Sequence, residues 1–378
     1  MQAIINGKIV LPDRVAEGAA LLFDERIAGI VPEGEIPVGT ETIDAAGSYV
    51  IPGLIDMHIH GYLGEDASDG SFDGLRVMAE GVAKNGVTGF LPTTMTVSYD
   101  ELRAAFEQIR RGMTESAHWD GARILGVNAE GPFINPGKKG AQAGENIRPG
   151  DAAFLREYLD IIRVFTIAPE MPGNMDCVRE MAGKTLISMG HTGATFEEAH
   201  AAIDAGVGHV THLFNAQTAL QHRDPGVVGA ALTDDRVSAE LIADTFHVSA
   251  NLYPLVTRMK GDKLVLITDC TRAGGLADGE YTLGGQPIFV KGIECRLADG
   301  TIAGSVLRLN HAVRNLLAHT DLPVWEAVNA ASLNPAKRIG VAGRKGSLES
   351  GKDADIAICD SDFNIRRTIV GGRSVYIA

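Results

Sequence analysis

The sequence has 378 residues, a net charge of −14 and a hydrophobic content of 45%. This length is typical of one large domain with a smaller accessory unit, and the acidic balance excludes a general affinity for nucleic acid or anionic membranes. No apolar run reaches the roughly 18 residues of a membrane span, and the first residues lack the layout of a signal peptide. The four cysteines are scattered without a CxxC pair. We therefore expect a cytoplasmic protein without disulfides or a thiolate metal site.

Short apolar runs at both ends of the chain are separated by Asn-Gly, Gly and Asp turn residues, which predicts strands and hairpins. Neither end has enough strands to bury a core by itself. We therefore expect residues 1–50 and 346–378 to form one small β-sandwich domain, with 346–348 among its strands.

Between the two ends, strand-like and helical runs alternate repeatedly. We place eight strand ends near His60, Pro92, Glu130, Glu170, His191, Asn215, Asp244 and Asp269. We place the helices between them at 72–85, 99–116, 151–158, 176–183, 195–205 and 249–259. This alternation predicts an α/β fold, a (β/α)8 TIM barrel over residues 51–345. Hairpins are expected within 275–302, followed by helices at 305–319, 323–331 and 334–339.

The first barrel strand ends in two histidines one residue apart, His58 and His60. Residues i and i+2 of a strand point to the same side, so the two imidazoles project together. Alone, such a pair is more often a hydrogen-bonded core pair than a metal site. However, Glu130, His191 and His212 are also predicted at strand ends, which meet at one face of a barrel. The sequence therefore predicts a metal site built from several strands, whereas His209, at the start of its strand, is interpreted as structural.

Asp269 closes the eighth predicted strand. A carboxylate there can accept a proton from a metal-bound water, whose pKa falls from about 16 toward about 7, and then donate it to a leaving group. The alternative for Asp269 alone is a helix or turn cap. The ligand-type residues at the other strand ends favour the catalytic interpretation.

These residues resemble the amidohydrolase superfamily, and within it the deacetylases that act on N-acetyl-D-glucosamine 6-phosphate. The resemblance covers nearly the whole chain. It rests on seven segments in order: 52–61 (PGLIDMHIHG), 130–134 (EGPFI), 190–192 (GHT), 212–216 (HLFNA), 268–269 (TD), 278–281 (DGEY) and 303–305 (AGS). It implies amino-sugar catabolism in which a metal-activated hydroxide attacks the acetyl carbonyl, with Asp269 as general base and then acid.

By the same resemblance, Glu130, His191 and His212 hold the principal divalent metal, which is Zn, Fe, Mn or Co. His58 and His60 complete a second metal site that some relatives lack, giving one or two ions per subunit. Many binuclear relatives use a carboxylated lysine on the fourth strand. The segment 167–170 (IAPE) offers no lysine, so Glu130 would fill the bridging role.

For the substrate, the resemblance places Asn215 and Ala216 at the sugar phosphate and Arg223 and His247 at the phosphate, reaching across the interface of a homodimer. The turn formed by Ala303, Gly304 and Ser305 is expected to run into a helix whose N-terminus faces an oxygen-rich ligand. Basic residues that an acidic protein needs around an anionic substrate are Lys138, Lys139, Arg223 and Arg272.

Three positions depart from the family's pattern. Gln142 stands where many members have a histidine that helps to hold substrate, Thr245 stands where glycine is usual, and Gln217 replaces a common methionine. These departures leave the metal chemistry intact but keep the sugar open. The alternatives are N-acetylgalactosamine 6-phosphate, another amide of the superfamily, and a barrel without catalytic activity that serves as a scaffold.

Overall fold

Eight parallel strands form a nearly closed barrel in the computed structural model, which describes residues 1–378. The strands are Leu54–Ile59 (β1), Val87–Thr94 (β2), Val127–Phe133 (β3), Ile162–Ile167 (β4), Leu186–Met189 (β5), His209–Val210 (β6), Ser238–Ile242 (β7) and Leu264–Ile267 (β8). Each pairs in parallel with the next. A bridge between Ile59 and Cys270 closes the barrel between β1 and β8. The predicted barrel is confirmed.

The strand ends differ from the predicted ones where the chain turns early. Strand β4 ends at Ile167, so Glu170 lies in the following turn, and β6 ends at Val210, well before Asn215. Strand β3 continues past Glu130 to Phe133. Strand β2 continues past Pro92 to Thr94. Sequence patterns locate an element well but its last residue poorly, because the loop's tertiary contacts decide where pairing stops.

Ten α-helices surround or flank the barrel. They are Phe72–Ala83, Tyr99–Glu115, Ala152–Glu157, Asn174–Met181, Phe196–Ala205, Gly226–Thr233, Tyr253–Lys260, Leu309–Ala318, Val324–Ala330 and Leu333–Arg338. Capping boxes begin two of them, with Ser98 paired to Glu101 and Thr195 to Glu198. Nine were predicted. Gly226–Thr233 was missed because all but its last residue are buried, so it lacks the polar face that reveals a helix.

Two small sheets are built from the ends of the chain: the first contains N-terminal strands only, and the second combines strands of both ends. One has the order Ile27–Pro32, Ala19–Phe23, Gln2–Ile5, Glu41–Asp44; the other has the order Arg373–Ile377, Ile365–Val370, Ile356–Cys359, Tyr49–Pro52, Lys8–Val10, Val15–Ala16. They share a core of 14 buried residues drawn from both termini, including Phe23 and Ile356. The predicted strand at 346–348 is wrong: this segment has no ladder partner and lies in a bend.

The remaining strands are short and form local pairs or, in one case, a three-stranded sheet. They are Gly61–Tyr62 with Glu65–Asp66, Arg123–Ile124 beside β2, and the antiparallel sheet Gly279–Leu283, Gln286–Lys291 and Glu294–Leu297. The last sheet confirms the hairpins expected within 275–302. None of the helices is long and apolar enough to cross a membrane. The four cysteines are unpaired and buried.

Lys260, at the end of helix Tyr253–Lys260, gives the fold a testable pH dependence. Its ammonium donates to the carbonyls of Ala231 and Asp234 at 2.7 and 3.1 Å. Burial lowers its pKa to about 8, below the value near 10.5 of an unfolded lysine. Between pH 8 and 10.5 the unfolded chain therefore binds more protons than the folded one, so this residue's contribution to the free energy of unfolding rises with pH.

We compare the free energy of unfolding of Lys260→Met with that of the native protein. The neutral methionine has no pH-dependent desolvation penalty, whereas native Lys260 loses its penalty as pH rises. The variant minus native difference should therefore be about 2 kcal/mol lower at pH 10 than at pH 7. Urea unfolding of the two proteins at pH 7, 8.5 and 10 measures the difference. Lys84→Met, at an exposed position, is the control and should show no such trend. A difference independent of pH for Lys260→Met would contradict the expectation.

Candidate metal centre and active site

Six side chains from five barrel strands converge at the carboxyl end of the barrel. His58 and His60 lie at the end of β1, Glu130 lies in β3, and His191, His212 and Asp269 follow β5, β6 and β8. All six are buried. In a (β/α)8 barrel this end carries the active site, because the βα loops meet there.

One group of potential ligands consists of Glu130, His191 and His212. Glu130 Oε1 lies 3.1 Å from His191 Nε2 and 3.0 Å from His212 Nε2, and the two nitrogens are 3.1 Å apart. The second group consists of His58, His60 and Asp269. Asp269 Oδ1 lies 3.4 Å from His58 Nε2 and 3.1 Å from His60 Nε2.

Glu130 joins the two groups. Its Oε1 is 3.5 Å from His58 Nε2 and its Oε2 is 3.2 Å from His60 Nε2, so both oxygens face imidazoles. This carboxylate therefore faces both groups of potential ligands, and the segment that ends β4 offers no lysine.

The donor set fits a divalent metal. Nitrogen and oxygen ligands about 2.0–2.2 Å from a tetrahedral ion lie about 3.3–3.5 Å from one another, close to the separations found here. Each group offers imidazole nitrogens together with a carboxylate oxygen, which suits Zn and other first-row divalent metals. The structure also supplies backing hydrogen bonds: His60 Nδ1 faces the carbonyl of Thr93 at 3.1 Å and His191 Nδ1 that of Lys138 at 2.9 Å.

The buried carboxylates of the cluster favour a positive charge next to them. Burial by itself raises the pKa of Glu130, but the neighbouring imidazoles of His58 and His191 outweigh it and hold that pKa well below its usual range. Burial likewise disfavours the charged form of His58, yet the carboxylates of Glu240 and Glu130 raise its pKa to about 9. A bound cation would compensate the negative charge of these carboxylates in the same way as a protonated imidazole does.

Three of these side chains sit on strained backbone. The φ angles of His191, His212 and Asp269 are 47°, 25° and 51°, in the left-handed region that non-glycine residues rarely occupy. Each residue follows the last paired residue of its strand by two positions. Such conformations cost about 1–3 kcal/mol each and persist where surrounding contacts enforce them, typically at functional sites. Here they turn the side chains inward over the barrel mouth.

Glu240 is a site residue that the sequence interpretation missed. It lies in the middle of β7, is fully buried, and its Oε2 lies 2.9 Å from His58 Nδ1. Its Oε1 lies 3.2 Å from His209 Nε2. Burial opposes its ionisation, but His58 and the hydrogen bonds from both imidazoles outweigh burial and lower its pKa. A charged residue inside the apolar run of β7 was the signal that would have found it.

A pocket of about 380 Å³ opens above the cluster. Its lining includes five of the six cluster residues, predicted substrate residues, and residues in or next to the three-stranded sheet. The lining residues are His60, Met95, Glu130, Gly137, Lys138, Gly140, Ala141, Gln142, His191, His212, Asn215, Ala216, His247, Asp269, Leu283, Thr301, Ile302 and Gly304. The pocket therefore has room for a small polar molecule directly beside Asp269.

The predicted substrate residues are only partly brought together. Gln142, Asn215, Ala216, His247 and Gly304 line the pocket, and Asn215 donates to the carbonyls of His212 and Leu213 at 3.3 and 3.2 Å. Arg223 lies outside it, exposed on the loop before helix Gly226–Thr233.

The 303–305 turn does not face the pocket as the N-terminus of a helix. The next helix begins only at Leu309, which corrects that expectation. Instead, the backbone N–H of Ser305 donates to the carbonyl of Asp269 at 2.8 Å, and the Ser305 hydroxyl donates to that of Thr268 at 2.6 Å. Ala303 and Ser305 are buried behind the pocket wall. The turn thus braces the loop that carries Asp269.

Gly304 permits this close approach. Its φ is 60°, and a Cβ at this position would lie 2.9 Å from the Asp269 carbonyl oxygen. A larger residue would therefore have to push the turn away from the strained backbone of Asp269.

Gln142 is anchored to Glu130. Its amide donates from Nε2 to Glu130 Oε2 at 2.6 Å, while its Oε1 accepts from the backbone N–H of Thr96 at 2.6 Å. Both ends of the amide are thus engaged, so the side chain holds Glu130 as well as lining the pocket. Its predicted contact with substrate stays a prediction.

The loop after β7 keeps a glycine-like conformation in spite of its threonine. Thr245 has a φ of 69°, and its backbone N–H donates to the Tyr253 hydroxyl at 2.9 Å. Asp244 then accepts hydrogen bonds from the backbone N–H and, at 2.6 Å, from the ring of His247. Thr245 therefore adopts the left-handed backbone that a glycine would allow, and His247 lines the pocket.

The predicted basic residues are distributed unevenly. Lys138 lines the pocket and donates to the carbonyl of Gln217 at 3.3 Å. Lys139 donates to nearby backbone carbonyls at 3.3 and 3.4 Å, and Arg272 pairs with Asp69 at 2.9 Å. Arg272 is therefore neutralised by an acid outside the pocket.

A sequence model of the amidohydrolase family matches residues 49–375. The chain belongs to this amidohydrolase family. Among curated proteins it is similar to the N-acetylglucosamine-6-phosphate deacetylase of Bacillus subtilis (strain 168), at 39% identity over 349 residues that cover 90% of this chain and 88% of the relative. It is also 37% identical over 365 residues to the N-acetylgalactosamine-6-phosphate deacetylase of Escherichia coli O157:H7, covering 95% of this chain and 93% of the relative.

Among solved structures, the chain is similar to N-acetylglucosamine-6-phosphate deacetylase from Pasteurella multocida. The TM-score is 0.94 at 31% identity, and each chain is covered completely. The resemblance inferred from the seven sequence segments is thereby confirmed.

Proposed function

We propose that the protein hydrolyses the acetamide bond of N-acetyl-D-glucosamine 6-phosphate, giving D-glucosamine 6-phosphate and acetate. The observation that carries the proposal is the cluster of Glu130, four histidines and Asp269 at the floor of a pocket sized for one small polar molecule. The similarity to deacetylases over nearly the whole chain supports this substrate class.

In this proposal Glu130, His191 and His212 hold the principal metal ion, and His58, His60 and Asp269 offer a second site. A bound divalent ion lowers the pKa of water and polarises a carbonyl oxygen. Zn, Fe, Mn and Co all accept such ligands, with one or two ions per subunit.

Asp269 acts as the proton carrier. Its carboxylate borders the pocket, and His60 and His58 lower its pKa against the opposing effect of burial, so it is ionised and able to accept a proton. Its backbone N–H donates to the carbonyl of His58 at 2.8 Å, and its carbonyl is held by Ser305. This double anchoring holds the backbone of Asp269, and its carboxylate passes the proton to the departing sugar nitrogen.

Polar groups that line the same pocket as Asp269 bind the sugar phosphate in this proposal. Asn215, Ala216, Lys138 and His247 supply polar groups there. Arg223, exposed and outside the pocket of its own chain, is proposed to reach the phosphate bound by a second subunit of a cytoplasmic homodimer. The free cysteines fit a reducing compartment.

Acetate release by the metal-loaded protein tests the activity. The substrates are the 6-phosphates of N-acetylglucosamine and N-acetylgalactosamine, unphosphorylated N-acetylglucosamine, and an N-acyl amino acid. We expect the fastest release from N-acetylglucosamine 6-phosphate. Faster release from the galactosamine compound would favour the function of the Escherichia coli relative. Release only from the N-acyl amino acid, or from none of the four, would refute the proposal.

Arg223→Ala tests the phosphate site. We expect KM for the phosphorylated sugar to rise about 10- to 100-fold, since one charge-assisted contact is worth about 1.5–3 kcal/mol. The slow reaction of the unphosphorylated sugar should not change. Arg76→Ala, on an exposed helix, is the control. An unchanged KM would remove Arg223 from the site, and light scattering that shows a monomer would exclude its action across subunits.

A further inference from the structure

We infer that Glu240 is a positioning residue for the second ligand group: it orients His58 with Nε2 facing the site, and its negative charge makes this imidazole basic enough to bind a second metal ion. This inference rests on the proposed metal-dependent function. Its evidence is the pattern of hydrogen bonds below the six-residue cluster.

Glu240 makes three hydrogen bonds inside the barrel, and all three partners belong to site strands. Oε2 is 2.9 Å from His58 Nδ1 and accepts from the backbone N–H of His212 at 2.9 Å, while Oε1 is 3.2 Å from His209 Nε2. The carboxylate is completely buried, so water does not compete for either oxygen. The bonds therefore determine the geometry of their partners.

An ionised carboxylate can only accept hydrogen bonds, so the facing nitrogens must carry the protons. In neutral His58 a proton on Nδ1 leaves Nε2 as the bare nitrogen. That nitrogen points to the second group, 3.4 Å from His60 Nε2 and 3.4 Å from Asp269 Oδ1. Glu240 thus selects the tautomer of His58 that is able to ligate a metal.

Among the four cluster histidines, only His58 is backed by a carboxylate. His60 and His191 are backed by neutral backbone carbonyls, and His212 Nδ1 has no hydrogen-bond partner. A carboxylate behind an imidazole makes it a more basic ligand than a carbonyl does. The charge of Glu240 therefore acts chiefly on the group of His58, His60 and Asp269.

His209 and Ser238 complete the support on the far side of Glu240. His209 Nδ1 lies 2.6 Å from the Ser238 hydroxyl, which can donate or accept. The Ser238 hydroxyl can therefore pair with His209 Nδ1 in either tautomer of the imidazole. In Glu240→Gln the new amide can donate to His209 Nε2 while its oxygen still accepts from His58 and His212. This substitution accordingly removes the charge and preserves the hydrogen-bond pattern and the shape.

Metal-free protein titrated with Zn²⁺ alone tests the inference. Isothermal titration calorimetry and elemental analysis after dialysis give the stoichiometry and both affinities. We expect two ions per native chain. In Glu240→Gln we expect the weaker affinity to fall about 10- to 100-fold, with the tighter one changed by less than about threefold. The melting temperature of the metal-free variant should stay near that of the native protein.

Ser188→Ala is the matched control. It removes a hydrogen bond of 2.5 Å to Thr211, equally buried inside the barrel, and contacts none of the cluster side chains. It should bind both ions as the native protein does. Three outcomes would overturn the inference. Glu240→Gln could bind both Zn²⁺ ions with native affinity, or lose affinity for both ions equally. The native chain could also bind one ion only.

The assay of acetate release keeps this result separate from the proposed function. A native protein that releases acetate but binds a single ion overturns the role of Glu240 alone. A native protein that binds two ions but releases no acetate overturns the proposed function while leaving the role of Glu240 intact.

Discussion

Asp269→Asn is expected to lower kcat by about 10³-fold, within the range of about 10²–10⁴ that a positioned general acid–base group contributes. The amide has nearly the same shape but cannot accept and return a proton. The anchors of the loop are backbone groups, namely the N–H bonded to His58 and the carbonyl bonded to Ser305, so the substitution leaves them in place. KM should change little, because Asp269 acts on the reacting bond rather than on the phosphate.

Kinetics must be accompanied by metal analysis, since Asp269 also belongs to the second ligand group. The ion held by Glu130, His191 and His212 should remain bound in the variant. Asp278→Asn makes the same change at an exposed position and should retain native kcat. A variant of Asp269 that keeps this ion and turns over at more than about a tenth of the native rate would refute its acid–base role.

Glu130→Gln should abolish both metal binding and activity, making it the most damaging single substitution in the site. Glu130 is the only carboxylate whose oxygens lie within 3.5 Å of the Nε2 atoms of all four cluster histidines. An amide offers one neutral oxygen, and its nitrogen cannot ligate while it carries its protons. We expect metal content far below one ion per chain and a loss of activity of at least about 10³-fold.

The fold itself should survive Glu130→Gln. Glu130 is one of the groups that raise the pKa of His58 and His191, so its loss lets these imidazoles become neutral instead of leaving them charged and unpaired. Circular dichroism and the melting temperature of the metal-free protein measure this. Glu280→Gln, in the exposed hairpin, controls for loss of a carboxylate. One tightly bound ion in Glu130→Gln would contradict its proposed bridging role.

The sequence predicted the barrel well because its signal is local and repeated. Apolar runs such as β8 and the capping box at Thr195 report on neighbouring residues of the same segment. Where that local signal is missing, the prediction failed. Helix Gly226–Thr233 is buried on nearly all sides and shows no polar stripe, and the buried segment 346–348 (GSL) packs without pairing.

In the site, too, local sequence signals were predictive and contacts between distant segments were not. The i, i+2 spacing of His58 and His60 fixes their common direction within one strand, and the seven segments identified the remaining ligand types. The 303–305 turn was misplaced because its surroundings come from loops far away in the sequence, and Arg223 lies outside the pocket of its own chain. Glu240 was missed because its partners are remote: it is 182 residues from His58 and 31 from His209.

The sequence by itself determined which strands would present ligand-type side chains and which chemical groups those side chains carry. Barrel closure alone decided that Glu130, 61 and 82 residues from His191 and His212, stands between the two groups of imidazoles. The tertiary structure also decided the left-handed turns at His191, His212 and Asp269, and the buried carboxylate behind His58. The physical reason is that alternation along a strand is set by neighbouring residues, whereas burial, strain and hydrogen-bond partners are set by segments far apart in the chain.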